Sequence, residues 1–182
     1  EIRVLVLGGS LGARVLSDVT PGAIARLPDD IRSRVRVTQQ TREEDLDRVR
    51  AVYDAAGVEA TLSPFFTDMG ALYADAHLVI SRAGASSVSE VAAVGRPAIF
   101  VPLAIAMDDH QTANAHTLMR EGAAESVAEG DFTAERLCEH LASLLTDGEA
   151  LAKRADAARR LGKPDAHDRL ANLIDRISET RT

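Results

Sequence analysis

Between residues 2 and 127, short apolar runs alternate with segments whose apolar residues recur at helical spacing, and this alternation limits the possible folds more than any other feature. Runs at 2–7, 34–38, 58–62, 77–81, 98–101 and 123–127 have strand length, and 13–27, 42–56, 67–74, 86–94 and 109–121 each carry one apolar helical face. Consecutive strands separated by helices cannot be hairpins. They pair in parallel, because parallel neighbours need a crossover between them. The expectation is an α/β fold: a Rossmann-like parallel sheet of about six strands with helices on both faces. Beyond residue 131 only helical spacing remains, at 133–145, 149–161 and 165–179, the last with Leu170, Leu173, Ile174 and Ile177 on one side. A length of 182 residues fits one full-sized domain, 1–182, and not two.

Composition removes several function classes. No run approaches the ~18 apolar residues of a membrane span, so no transmembrane segment is expected. Cys138 is the sole cysteine, which rules out an internal disulfide and a cysteine-cluster zinc site. With 28 acidic against 21 basic residues the net charge is -7, unsuited to binding a nucleic-acid backbone. Any phosphate must therefore be held locally, by backbone dipoles and a few chosen cations.

In open α/β sheets, ligands bind beyond the carboxyl ends of the strands, so the loops after strands carry the functional weight. Three stand out. The first, Gly8-Gly9-Ser10-Leu11-Gly12-Ala13-Arg14, opens a helix; its glycines permit positive φ and close backbone approach, and the unpaired amides of a helix start favour an anion. Its spacing is neither G-x-G-x-x-G nor a Walker A loop. Taken alone, it equally describes a tight turn without ligand. The second, running from Ser81 and Arg82 through Ala83, Gly84, Ala85, Ser86 and Ser87 to Glu90, again leads from a strand into a helix through small residues. Amides and hydroxyls there suit a phosphate, and Glu90 suits a vicinal diol such as a ribose. The competing structural account is a Ser-x-x-Glu capping box from Ser87 to Glu90. The third, from Pro102 through Asp108 and Asp109 to His110, Gln111 and Asn114, places polar groups at a helix start, as reading a sugar requires; an Asp108 cap and an exposed His110 are the plainer account. An Asp45-Leu46-Asp47 pair has the D-x-D spacing of metal-dependent transferases, but positions two apart on a helix face different ways, and the charged surroundings suggest a solvated surface.

Together, "GGSLGAR", "SPFFTDMGALYADAHLVISRAGASSVSEVAAVGRPAIFVPL" and "DDHQTANAHTLMREGAA", in this order, resemble the C-terminal half of the MurG family over about residues 2–127. The resemblance implies one half of a GT-B glycosyltransferase: a donor domain that binds UDP-N-acetylglucosamine, with an acceptor-binding N-terminal domain absent from this chain. The implied reaction transfers N-acetylglucosamine to undecaprenyl-pyrophosphoryl-N-acetylmuramoyl-pentapeptide, giving lipid II with inversion at the anomeric carbon, no cofactor and no metal. By position, Ser10 and the amides near Gly9 face the diphosphate and the acceptor cleft, Ala85 and Ser87 lie at the sugar and phosphate groups, and Gly12, Gly84 and Ser86 are further substrate-binding residues. Glu90 takes the ribose hydroxyls, His110 and Gln111 the transferred sugar, and the uracil lies near Phe65, Phe66 and Arg82. Ser87 stands where relatives often have Thr, and His110-Gln111 where some have Gln-Gln. No residue here has a claim to be the catalytic base, which is expected in the absent domain.

The resemblance further implies a cytoplasmic location, or the cytoplasmic face of the inner membrane, with peripheral membrane association of the full protein. A first residue, Glu1, directly before a strand and without an initiator Met suggests a piece of a longer protein. A donor-binding subunit of a two-chain glycosyltransferase, a UDP-sugar 2-epimerase, a non-catalytic sugar-nucleotide module and a glycolipid transferase are the alternatives.

Overall fold

The computed structural model describes residues 1–9, 13–103 and 110–163. In chain order the elements are β1 (Ile2–Leu7), α1 (Arg14–Ala25), α2 (Asp29–Arg32), β2 (Val35–Gln40), α3 (Leu46–Ala55), β3 (Glu59–Ser63), α4 (Met69–Asp75) and β4 (Leu78–Ser81). They continue with α5 (Ala85–Val94), β5 (Ala98–Phe100), α6 (His110–Arg120), β6 (Ala124–Ser126), α7 (Ala134–Thr146) and α8 (Gly148–Leu161). All strand pairs are parallel, in the order β3-β2-β1-β4-β5-β6. This is the expected six-stranded Rossmann-like sheet. The order reverses between β1 and β4, and the pairing of Leu7 with Ser81 ends those two strands side by side.

Alternation along β1 explains the layers, since successive side chains of a strand point to opposite faces. Val4 and Val6 join one core layer with Leu16 and Ile24 of α1, Tyr53 of α3 and Leu141 of α7. Leu5 and Leu7 join the other, with Tyr73 of α4, Val91 of α5, Leu118 of α6 and Ala158 of α8. Among the larger polar groups in the first layer, the Tyr53 hydroxyl donates to Gln39 Oε1 at 2.6 Å, and burial pushes its pKa well above the ordinary phenol range.

Three sequence expectations change. The four-residue α2 was not anticipated; it starts after Pro28 with Asp29 and Asp30 in its first turn, and Arg32 donates to Asp29 at 2.6 Å. The helix expected over 42–56 divides into a 3-10 turn, Glu43–Asp45, and α3. The helix expected over 67–74 starts at Met69, because the Asp68 side chain accepts from the Ala71 amide and caps it. The 165–179 segment lies outside the described residues.

Candidate functional site

The carboxyl ends of β1, β2 and β4 meet at the switch point, where the order of strands turns back. Gly9 follows β1 with φ +77°, a conformation costly for any residue with a Cβ. Gln40 at the end of β2 clamps this turn: its Oε1 accepts from the Gly8 amide at 3.2 Å, while its Nε2 donates to the Pro64 carbonyl at 3.2 Å. Sequence reasoning missed Gln40, although its place at a strand's carboxyl end was a usable signal.

Two adjoining cavities open there. One, of about 430 Å³, is walled by Gly9, Gln40, Phe65 and Phe66 on one side and Tyr73, Ser87 and Glu90 on the other. The second, of about 480 Å³, is bounded by Gly9, Arg14, Arg42, Gly84, Ser86 and Ser87, with Arg82 and Gln111 further along its wall. The motif after β1 and the motif after β4 thus face one continuous cleft. Ser10 and Gly12 lie outside the described residues, as does Asp108. Ala85 and His110 are the exposed first residues of α5 and α6 and are not among the described residues lining either cavity.

Helix ends decide the electrostatics of this cleft. α5 begins at Gly84, in extended conformation, with no side-chain cap and no acidic residue in the first turn. α1 begins at Ala13 with the same two features. Of the other helix starts whose cap position is described, Asp68, Thr133 and Asp147 side chains cap α4, α7 and α8. At α2 and α3, first-turn acids occupy the positive end of the dipole. The two open ends point unpaired N–H groups, equivalent to roughly half a positive charge each, where a ligand anion is welcome.

Gly84, not Ser87, is therefore the N-cap of α5. The capping-box account fails for that reason: Ser87 and Glu90 are interior positions three apart, on one face of the helix. Both side chains line the smaller cavity, with Glu90 exposed and Ser87 half-buried.

Arg82 does less than its charge suggests. Its Nη1 donates to the carbonyls of Val101 at 3.0 Å and Pro102 at 3.2 Å and pairs with Glu129 at 2.7 Å, bracing the loop after β5. It lines the larger cavity, whereas Phe65 and Phe66 line the smaller. Gln111 Oε1 accepts from the Leu103 amide at 3.0 Å, and Asn114 donates to the Ala83 carbonyl at 3.1 Å, so α6 is tied to both loops.

The D-x-D pair does not share a helix, since Asp45 closes the 3-10 turn and Asp47 lies in α3, and it is not a uniformly solvated surface. Asp47 is exposed, while Asp45 is 5 % exposed and paired with Arg48 at 2.7 Å. The hydrogen bond from Arg48 holds the Asp45 carboxyl below the usual range, against the opposing effect of burial. A further depression of about 380 Å³ lies between β6 and α7; of its charged groups, Asp131 pairs with Arg136 at 2.5 Å and His140 faces Glu125 at 3.4 Å.

A parallel sheet in this order, with an anion-ready cleft at its switch point, defines the class of Rossmann-like nucleotide-binding domains. Within that class the chain belongs to the family described as glycosyltransferase family 28 C-terminal domain, which residues 3–170 match. It is 56 % identical over 175 residues to the UDP-N-acetylglucosamine--N-acetylmuramyl-(pentapeptide) pyrophosphoryl-undecaprenol N-acetylglucosamine transferase of Maricaulis maris, covering 96 % of this chain and 48 % of that protein. The crystal structure of MurG from Acinetobacter baumannii superposes with a TM-score of 0.85 at 36 % identity, over 96 % of this chain and 52 % of that one. A UDP-GlcNAc 2-epimerase from Neisseria meningitidis, solved bound to UDP-GlcNAc, shares the fold alone: TM-score 0.67 at 12 % identity, over 97 % of this chain and 44 % of that one. The chain spans about half the length of the curated relatives it matches.

Proposed function

We propose that residues 1–182 form the donor domain of an inverting N-acetylglucosaminyltransferase and bind UDP-N-acetylglucosamine in the cleft between α1 and α5. The open start of α5 beside Glu90 carries this reading, because it sets an anion site and a diol acceptor about one and a half helical turns apart. In this reading the diphosphate lies on the amides of the two helix starts, near Gly9, Ser10, Gly12, Gly84, Ala85 and Ser86, with the Ser87 hydroxyl alongside. Glu90 accepts from the two ribose hydroxyls. The uracil occupies the smaller cavity beside Phe65 and Phe66, and His110 and Gln111 face the transferred sugar.

Transfer requires an acceptor hydroxyl to form a bond to the anomeric carbon while the bond from that carbon to the β-phosphate oxygen breaks, its electron pair leaving with UDP. The hydroxyl proton passes to a base, which we place in a second, N-terminal domain that also holds the lipid-linked acceptor, undecaprenyl-pyrophosphoryl-N-acetylmuramoyl-pentapeptide. The role left to this chain is to stabilise charge growing on the departing diphosphate. Donors already aimed at such charge are worth about 3–4 kcal/mol each when removed singly. No metal or other cofactor is assigned to that role. In this reading the whole enzyme is cytoplasmic, or peripheral at the cytoplasmic face of the membrane that holds its lipid acceptor; among the described residues no helix is long and apolar enough to cross a membrane.

Calorimetric titration of the chain with UDP-N-acetylglucosamine, UDP-galactose and UDP tests the reading. Tighter binding of UDP-N-acetylglucosamine than of UDP-galactose is expected. Equal binding of both sugars points to a general sugar-nucleotide module, and no binding of any of the three removes the proposal.

A further inference from the structure

Tyr73, on α4, is the largest side chain of the smaller cavity's wall that is fully buried: 2 % of it is exposed, and it sits in the core layer with Leu7, Val88 and Val91. Its hydroxyl oxygen is sealed from solvent and makes no hydrogen bond. Buried hydroxyls are nearly always paired, because an O–H stripped of water with no acceptor is destabilising. A phenylalanine would fill the same space without that cost. The hydroxyl therefore signals a hydrogen bond that forms in another state of the site.

Its polar neighbours identify the partner. Ser87 and Glu90, one turn apart on α5, line the same cavity, and both act on the phenol: burial raises its pKa most, the Glu90 carboxylate raises it further, and Ser87 opposes them. The phenol thus keeps its proton at neutral pH and lies within reach of the Glu90 carboxylate and the Ser87 hydroxyl, without a hydrogen bond of normal geometry to either. A carboxylate has two oxygens and about four acceptor directions. Two hydroxyls of a vicinal diol leave capacity for a third donor from the protein side.

Resting on the donor-site reading above, we infer that Tyr73 is a positioning residue for the ribose: its hydroxyl donates to Glu90 when the nucleotide binds and fixes the carboxylate toward the 2′- and 3′-hydroxyls. Without this bond Glu90, exposed on the cavity wall, must be ordered at each binding event. With it, the core of the protein holds the diol acceptor.

The test is Tyr73→Phe, which deletes one oxygen, titrated with UDP and with 2′,3′-dideoxyuridine diphosphate. The expected result is about tenfold weaker UDP binding and unchanged dideoxy binding, with a melting temperature equal to or above that of the unaltered chain. In a Glu90→Ala background, Tyr73→Phe should have no further effect on UDP. Equal affinity of the Tyr73→Phe and unaltered chains for UDP overturns the inference and leaves the donor site standing, as does an equal loss for both ligands, which would mark a merely structural role. Failure of the unaltered chain to bind UDP overturns the donor site and this inference together.

Discussion

Glu90 and Asp45 show how differently two carboxylates are used. Glu90 is exposed on a cavity wall with acceptor capacity to spare, whereas Asp45 is buried and committed to Arg48. Glu90→Ala should weaken UDP binding by about 1.5–3 kcal/mol, the range for a hydrogen bond to a charged group, in a calorimetric titration. Asp45→Ala should leave UDP affinity unchanged and lower the melting temperature, because Arg48 loses its buried partner. Equal effects of the two substitutions on affinity would overturn the assignment. At this scale the sequence was partly legible. Glu90, Ser87 and Gly9 lie in motifs after strands, were singled out from place and residue type, and do line the cleft. Gln40 and Tyr73 were not, because their importance comes from neighbours 32 positions distant for Gln40 and a helix away for Tyr73.

At the level of elements, α1 and α5 share a bare helix start facing the cleft. Gly84 has an allowed φ of -63°, and a Cβ added there would meet nothing within 4 Å. Gly84→Asp should therefore keep the fold while setting a carboxylate over the anion site, weakening UDP by about 1–2 kcal/mol and leaving uridine binding nearly unchanged. An equal loss for uridine would mean that the α5 start does not receive the phosphates. A second element-level device joins β1 to β4: the His77 Nδ1 accepts from the Arg3 amide at 2.9 Å, and the His77 amide donates to the Arg3 carbonyl at 2.8 Å. Burial first, then the charges of Arg3 and Arg96, hold the His77 pKa below its ordinary 6.5. As pH falls through about 6.5 the unfolded chain takes up the proton before the folded one, so this contribution is complete above that pH and is lost below it, through the lower folded pKa. In thermal melts between about pH 7 and 5, His77→Asn, which keeps an acceptor but does not titrate, should show a smaller acid-side loss than the unaltered chain; an identical slope would contradict this role. The six strands were readable because apolar runs of strand length are unambiguous when helical spacing separates them. Helix starts were less so: Asp68 and Gly84 set the true boundaries, and a cap depends on side-chain geometry that spacing does not convey.

For the whole molecule, an acidic chain presents a cleft able to attract a diphosphate. The net charge of -7 opposes this, yet Arg14, Arg42 and the amides of two helix starts converge at the switch point. The fold supplies that convergence, since only the reversal of strand order beside β1 brings the loops after β1 and β4 to one place. The central claim is that peptide amides, and not a divalent ion, neutralise the pyrophosphate. Titration of the chain with UDP, once in EDTA and once in magnesium or manganese, tests it directly: the same affinity in both is predicted, and binding that appears only when the metal is supplied would contradict it.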